Sequence, residues 1–435
     1  MKVALINHGC AKNLVDAELI LGILENKGYK ITLDDAEADI VIVNTCSFIH
    51  DAEKESIQSI LEMIENGKKV IVSGCLSQKH KEDLKEAIPE LSGMIGTSNL
   101  NDIVEIIENI EQGKEYKSII QDKPEYIYPE EVTRQQITMG ASSYLKIGEG
   151  CNYQCGYCII PKLRGKYISR PIENIVKEAK ELVAKGVSEI ILIAQDTSSY
   201  GIDLYGKQAL PKLLEELNKI ENLSWIRIMY AYPTQMTDEL IDAIARLDKV
   251  VKYVDIPLQH SHPRVLESMR RPVMDYTKLV DKIRKKIPGV SVRTSLIVGY
   301  PGETEEEFEH LYNFVKNVRF DRMGAFEYSR EKGTYSYSLK NQIPAKIKKQ
   351  RRKRLMELQQ QISLENNQSY IDKEIKCIVE GYTDDGVIIL RSEHDAPEID
   401  GVVYASSETP VVPGDIEVVK ITDADEYDLF GEIIE

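Results

Sequence analysis

Three cysteines crowd into one short segment, EGCNYQCGYCIIP, at positions 151, 155 and 158. Thiolates this close in sequence can wrap a single metal group, and soft sulfur ligands select zinc or an iron–sulfur cluster over hard cations. A structural zinc takes four ligands, often as paired C-x2-C. No second such pair exists here, and no nearby histidine completes a set. Iron–sulfur clusters normally draw four cysteines. A motif that stops at three leaves one iron without a protein ligand, and an open metal position is what a Lewis-acid or substrate-binding site needs. Cys151, Cys155 and Cys158 are therefore expected to hold a cluster with one reactive iron.

Cys10, Cys46 and Cys75 form a second, dispersed set. Each closely follows an apolar run: KVALIN before Cys10, DIVIVNT before Cys46 and KKVIVSG before Cys75. Helical stretches come after each run, the first from about Leu14 to Lys27. Strands that alternate with helices build a parallel sheet with helices on its faces. Ligands of such sheets gather at the carboxyl ends of the strands. Three thiols about 30 residues apart are thus expected to meet at one sheet edge as joint ligands, again leaving one iron open. The seventh cysteine, Cys377, reads as a small buried hydrophobe.

The elements that must position these residues fall into three parts. Residues 1–117 are expected to form a doubly wound parallel α/β sheet. Residues 137–366 repeat strand and helix around YLKIG, EIILIAQ, WIRIMYA, YVDIPLQ, VRTSLIVG and MGAFEYS. Six such units predict a partial (β/α)6 barrel, whose functional groups belong at the carboxyl-end face. Between them, residues 116–140 are polar and lack sustained periodicity, which reads as a linker. One helix over 345–370, beginning AKIKKQRRKR, leads to residues 369–435, where short strands and turns predict a small all-β barrel.

Charge is unevenly spread. Of the net −16 over 435 residues, residues 371–435 hold 18 Asp and Glu against four Lys and Arg, a net −14. Such a module repels a phosphate backbone and attracts a basic protein. The dense run Lys346, Lys348, Lys349, Arg351, Arg352, Lys353 and Arg354 pulls toward RNA, or else is a solvated helix face or a partner for the acidic module. The beginning MKVALINHGCAKN has no signal-peptide pattern, and no run approaches the roughly 18 apolar residues of a membrane span. A cytoplasmic protein without a membrane partner is expected.

The C-x3-C-x2-C spacing after the first barrel strand resembles the signature of the radical S-adenosylmethionine superfamily. That resemblance implies that the open iron binds S-adenosylmethionine and that one-electron reduction releases a 5′-deoxyadenosyl radical. It implies contacts to the same cofactor from Tyr157, the aromatic before the third cysteine, at adenine. It further implies contacts from Gln195 with Asp196, Arg227, Gln259 and the segment Ser295 to Glu303, all at strand ends. HGCAKN, VNTCSFI and SGCLSQ resemble the N-terminal domain of the methylthiotransferase family, and the likeness spans the chain, ending in a barrel of the TRAM type. Membership implies two four-iron, four-sulfur clusters, one generating the radical and one handling sulfur at Cys10, Cys46 and Cys75. The cofactor supplies both the methyl group and the radical. Radical chemistry suits a C–H bond too weakly acidic for side-chain bases.

The family modifies an adenosine of transfer RNA or an aspartate of a small-subunit ribosomal protein. DLYG (Asp203 to Gly206) and EHDAPEIDG (Glu393 to Gly401) resemble the branch acting on ribosomal protein twelve of the small subunit, and the charge of the acidic tail favours such a basic protein over RNA. A basic ribosomal protein, free or on the small subunit, and an external electron donor are the expected partners. The competing readings are modification of transfer RNA and a non-catalytic iron–sulfur redox sensor.

Overall fold

The apolar runs that precede Cys10, Cys46 and Cys75 lie side by side in the computed structural model, which describes residues 1–47, 49–137 and 140–434. Phe48 of the VNTCSFI motif lies outside the described residues. Strands β1 (Lys2–Asn7), β2 (Lys30–Ile31), β3 (Ile40–Thr45), β4 (Lys69–Gly74), β5 (Gly93–Ile95) and β6 (Lys117–Ile119) pair in parallel in the order β2-β1-β3-β4-β5-β6. Helices α1 (Ala11–Asn26), α2 (His50–Glu65), α3 (Cys75–Ala87) and α4 (Asp102–Glu111) connect them. All six residues of β3 are buried, which accounts for its unbroken IVIV run. Val41 and Val43 on β3, Val70 and Val72 on β4, and Ile60 and Met63 on α2 share one core.

Two compact units make up the chain. The first comprises residues 1–139, 148–154 and 158–170, and the second comprises residues 140–147, 155–157 and 171–435. The second begins with β7 (Ser142–Lys146), while the antiparallel pair β8 (Gly148–Glu149) and β9 (Ile168–Ser169) and the short helix α5 (Ile160–Arg164) belong to the first.

The segment read as a linker is more ordered than its composition suggests. Residues 117–119 supply the sixth strand, too short for any alternation to register. Beyond it, Tyr126 is buried and donates to Asp16 at 3.1 Å, and buried Arg134 pairs with Glu18 at 3.1 Å. Tyr126 and Arg134 thus satisfy α1, while Gln121, Asp122, Lys123, Glu125 and Glu131 of the same segment are solvated.

In the second unit β7, β10 (Glu189–Ile193) and β11 (Trp225–Ile228) form one parallel triad. A second contains β12 (Tyr253–Asp255), β13 (Ser291–Val298) and β14 (Arg322–Glu327). The six expected barrel strands are all present. The helix Ala345–Gln368 leads to a closed barrel in the order β15-β16-β17-β19-β18, from β15 (Glu374–Tyr382), β16 (Ile388–Ser392), β17 (Val403–Ser406), β18 (Ile416–Ala424) and β19 (Leu429–Ile434). Cys377 is fully buried in its core, with Val379, Leu390 and Val419. No helix among the described residues is long and apolar enough to cross a membrane.

The terminal barrel seats charged groups against the amino ends of the six strands. Glu189, the first residue of β10, accepts from Arg227 Nε at 2.7 Å, and Arg391 of β16 pairs with its other carboxylate oxygen; all three are fully buried. Arg391 also reaches Glu380 at 2.7 Å. Arg293 bridges Asp255 and Asp400 at 3.1 and 3.3 Å, Tyr253 donates to Asp400 at 2.7 Å, and Arg322 binds Asp395 at 2.6 Å. Two consequences correct the sequence reading. Arg227 faces the amino end, where its guanidinium holds Glu189 and the Glu393 carbonyl at 2.9 Å, so it is not a contact for S-adenosylmethionine. Asp395 and Asp400 are consumed inside the molecule and contribute nothing to an outward acidic face, and the half-buried Glu380 is paired with Arg391.

Most of the basic run is likewise committed. Arg351 is buried against Glu303 and Glu305, Arg354 binds Glu305 and Glu309 at 3.0 and 2.6 Å, and Lys348 donates to the Tyr328 carbonyl at 2.7 Å. These cations pin the long helix to the preceding one (Glu305–Val318) and to β14. On the exposed side, Arg352 faces Glu327 at 3.6 Å and Lys353 faces Glu357 at 3.5 Å. Lys346 and Lys349 are the exposed members left without a carboxylate among the described residues.

Candidate functional site

Strands β1, β3 and β4 are immediate neighbours, so the residues following them meet at one edge. The order reverses between β1 and β3, the switch point at which doubly wound sheets open a crevice. Cys10 caps the amino end of α1, Cys46 follows β3, and Cys75 is the first residue of α3. Helix amino ends carry partial positive charge, which favours thiolates. No disulfide ties up any of the seven cysteines.

Glycine makes the approach possible. Gly9 has φ +99°, and a Cβ there would lie 2.7 Å from the Cys46 Cβ and 3.1 Å from its sulfur. Gly74 has φ +91°, and its Cβ would lie 2.7 Å from the Thr45 carbonyl and the Asn44 side chain. Such backbone is nearly glycine-only and costs other residues about 1–3 kcal/mol. Gly74→Ala is expected to displace Cys75 and lower the iron and sulfide content of the reconstituted protein toward half, measured by colorimetric assay against wild type.

An amide network fixes the floor. Asn13 donates to the His8 and Thr45 carbonyls at 3.0 and 2.9 Å, and Asn44 donates to Asn7 and to the Asn13 carbonyl, each at 2.8 Å. Burial pushes the Cys75 thiol up, and the Arg164 guanidinium opposes that shift. Arg164 Nη2 lies 3.4 Å from the Cys75 sulfur. A bound metal reverses such logic, since a coordinated thiol is deprotonated outright. The donor set, three soft sulfurs with amide and guanidinium donors behind them, fits an iron–sulfur cluster.

In the second unit, Cys155 and Tyr157 lie in a loop held by the Gly156 amide, which donates to the Met269 carbonyl at 2.7 Å. Tyr157 packs against Val265, Met269, Tyr300 and Tyr328. Arg271 stands 3.9 Å from the Cys155 sulfur, donates to the Pro257 carbonyl at 2.5 Å and lies over the Tyr232 ring. Gln195 sits just past β10, beside Asp196, which caps a short turn by accepting from the Ser198 amide at 3.0 Å. Gln259 follows β12 with φ +73° and exchanges backbone hydrogen bonds with Ser295 and Ile297 on β13. Glu303 folds back onto the Gly299 and Tyr300 amides, so it orders the SLIVGYPGE turn. In the first unit, Cys151 donates its amide to the Gly165 carbonyl at 3.1 Å, and Cys158 leads into α5. Arg164 and Arg271 escape sequence reasoning, since no local pattern links either to its cysteine.

Comparison with known proteins covers the same ground. Residues 145–315 match the Radical SAM superfamily, residues 2–96 match Uncharacterized protein family UPF0004, and residues 371–434 match the TRAM domain. The Ribosomal protein uS12 methylthiotransferase RimO of Caldanaerobacter subterraneus subsp. tengcongensis is 51% identical over 436 residues, covering 99% of both chains. Its counterpart in Clostridioides difficile is 46% identical over 441 residues, covering 100% of this chain and 99% of the relative. The chain belongs to the RimO family of methylthiotransferases. It is thereby a radical S-adenosylmethionine enzyme, and an iron–sulfur cluster and S-adenosylmethionine are the cofactors of the family's chemistry. Among solved structures, the radical S-adenosylmethionine methyltransferase TsrM from Kitasatospora setae, with cobalamin and a 4Fe–4S cluster bound, shares the fold. Its TM-score is 0.58 at 16% identity, over 75% of this chain and 72% of that one.

Proposed function

We propose that this chain replaces one C–H bond on an aspartate side chain of ribosomal protein uS12 by C–S–CH3, using two clusters. In this reading Cys151, Cys155 and Cys158 ligate the radical-generating cluster within residues 137–366. Cys10, Cys46 and Cys75 ligate the sulfur-handling cluster within residues 1–117, and residues 369–435 recruit the substrate. The observation that supports it is that Cys10, Cys46 and Cys75 each come just after the carboxyl end of one of three adjacent parallel strands. When bound, the cluster with S-adenosylmethionine supplies a carbon radical able to take hydrogen from an unactivated carbon. The chain's own residues position and shield. Tyr157, Gln195 and Gln259 are the side chains we assign to S-adenosylmethionine. Arg271, anchored by its bond to the Pro257 carbonyl, faces the Cys155 sulfur at 3.9 Å. An external one-electron donor completes the set.

Charge supports a protein substrate over RNA. Within the basic run Arg351 and Arg354 are tied to Glu303, Glu305 and Glu309, whereas Asp372, Glu374, Asp384, Asp385, Glu398, Glu408, Asp423 and Glu432 of the terminal barrel are exposed. A groove of about 480 Å3 on that barrel is lined by Tyr382, Asp385, Val387 and Glu408. Anaerobic incubation of reconstituted enzyme, reductant and S-adenosylmethionine with uS12 is expected to add a methylthio group to one aspartate, read by peptide mass spectrometry. Asp385→Lys with Glu408→Lys is expected to raise KM for uS12 several-fold while leaving 5′-deoxyadenosine formation intact. Modification of transfer RNA with none on uS12 overturns the assignment, and so does failure to form 5′-deoxyadenosine.

A further inference from the structure

Helix α5 begins two residues after Cys158 and ends at Arg164. The apolar side chains of Ile159, at its amino cap, and Leu163 bury themselves against Cys75, 84 and 88 positions earlier in the chain. The Leu163 carbonyl accepts from Thr97, which ties the helix to the segment after β5. Arg164 then turns into the same pocket and is almost wholly buried. Its Nη1 binds Asp16 at 2.6 Å and Glu149 at 3.4 Å; its Nη2 binds Asn13 at 2.5 Å and faces the Cys75 sulfur at 3.4 Å.

A guanidinium is a rigid fork. Two carboxylates fixing one prong dictate where the other points, and Asn13, whose own amide is anchored to the sheet edge, fixes it further. The second prong is thereby aimed at sulfur. Nothing in this arrangement is needed to bury Arg164 alone, since Asp16 and Glu149 already exceed its charge. Donors to ligand sulfurs, and charge close to them, are among the levers by which a protein sets a cluster's reduction potential. Electrostatic influence falls with distance, so the prong nearest the sulfur has the greatest effect.

We propose that Arg164 is a positioning residue for the cluster assigned to Cys10, Cys46 and Cys75, donating to the Cys75 sulfur and raising that cluster's reduction potential. Because α5 grows directly out of the radical-cluster motif, this donor is covalently tied to Cys158 by six residues of chain. The inference rests on the two-cluster reading above. Loss of the N–H···S contact withdraws stabilisation from the reduced, more negative state, so the potential moves in the negative direction.

The test uses the full chain with Cys151, Cys155 and Cys158 changed to alanine, which retains only the second cluster. Redox titration followed by electron paramagnetic resonance is expected to show at least a tenfold smaller reduction equilibrium constant in Arg164→Gln, a shift of about −59 mV for one electron. Arg164→Lys keeps the charge without the fork and is expected to fall between. Labelling the unsubstituted protein with 15N-arginine is expected to give a nitrogen coupling in the pulsed spectrum of the reduced cluster, lost in Arg164→Lys; this arm stands even where Arg164→Gln assembles no cluster. Unshifted potentials in the substituted proteins, or no 15N coupling, overturn the inference. A three-alanine background that binds no iron overturns the two-cluster reading itself.

Discussion

Replacing Cys10, Cys46 and Cys75 together by alanine will leave about half the iron and sulfide of the reconstituted protein, as expected when one of two similar clusters is lost. Methylthio transfer to uS12 will disappear, while reductive formation of 5′-deoxyadenosine persists. The split follows from the architecture. The three thiols belong to the edge of the β1–β3–β4 sheet, whereas Cys155 and Tyr157 sit in a loop held by Met269 and flanked by Arg271. Cys75 does pack against Ile159 and Leu163 behind Cys158, but none of the three substituted side chains holds the Cys155 loop, which rests on Met269 and Arg271. Iron and sulfide assays, product chromatography and peptide mass spectra on one preparation decide it. Retention of the full iron content, or joint loss of 5′-deoxyadenosine, would sink the assignment of separate tasks to the two triads.

Arg391→Met will destabilise the second unit by about 3–5 kcal/mol, the usual result of stripping one partner from a buried ion pair. Burial alone would raise the Glu189 carboxyl, but Arg391 and Arg227 beside it overcome that and hold it at about 2. The sign of the pH effect follows. A carboxyl depressed from its ordinary 4.5 contributes stability that is fully present above that value and is lost as pH falls through about 2. The displacement is worth about 3 kcal/mol at about 1.4 kcal/mol per unit, the same order as the substitution cost. Urea unfolding midpoints of the wild type should therefore fall steeply below about pH 4.5, and those of Arg391→Met should start lower and fall less. Adding Glu189→Gln to Arg391→Met should recover part of the loss, because the orphaned charge goes with it. An unaltered acid limb in Arg391→Met would mean that Glu189 owes its ionisation to Arg227 alone.

The cysteines are legible in the sequence because their meaning is local: a three-residue and a two-residue gap in one motif, and a strand before each member of the other. The six barrel strands and the terminal barrel are legible for the same reason, through apolar runs and turns. What escapes is long-range pairing. Arg164 meets Asp16 and Cys75 across 148 and 89 positions, and no periodicity encodes that. Arg227 reads as a cofactor contact because a strand displays a polar residue without saying toward which end its side chain leans. Glu189 and Glu393 decide that, and they lie 38 and 166 positions away. The run from Lys346 to Arg354 reads as an RNA-facing surface because Glu305 and Glu309, which bind Arg351 and Arg354, lie 45 to 49 positions earlier in the chain.

The seam between the terminal barrel and the six strands also governs how recognition can be dissected. Cutting the chain near residue 369 would uncover Glu189, Arg227, Arg293 and Arg322 at once, each deprived of the group that now neutralises it or seals it from water. A shortened enzyme that no longer modifies uS12 would then be reporting a flooded barrel floor, not a missing docking arm. The acidic module works as a keystone as well as an antenna, and only single charges on its outer face can be altered without pulling the arch down.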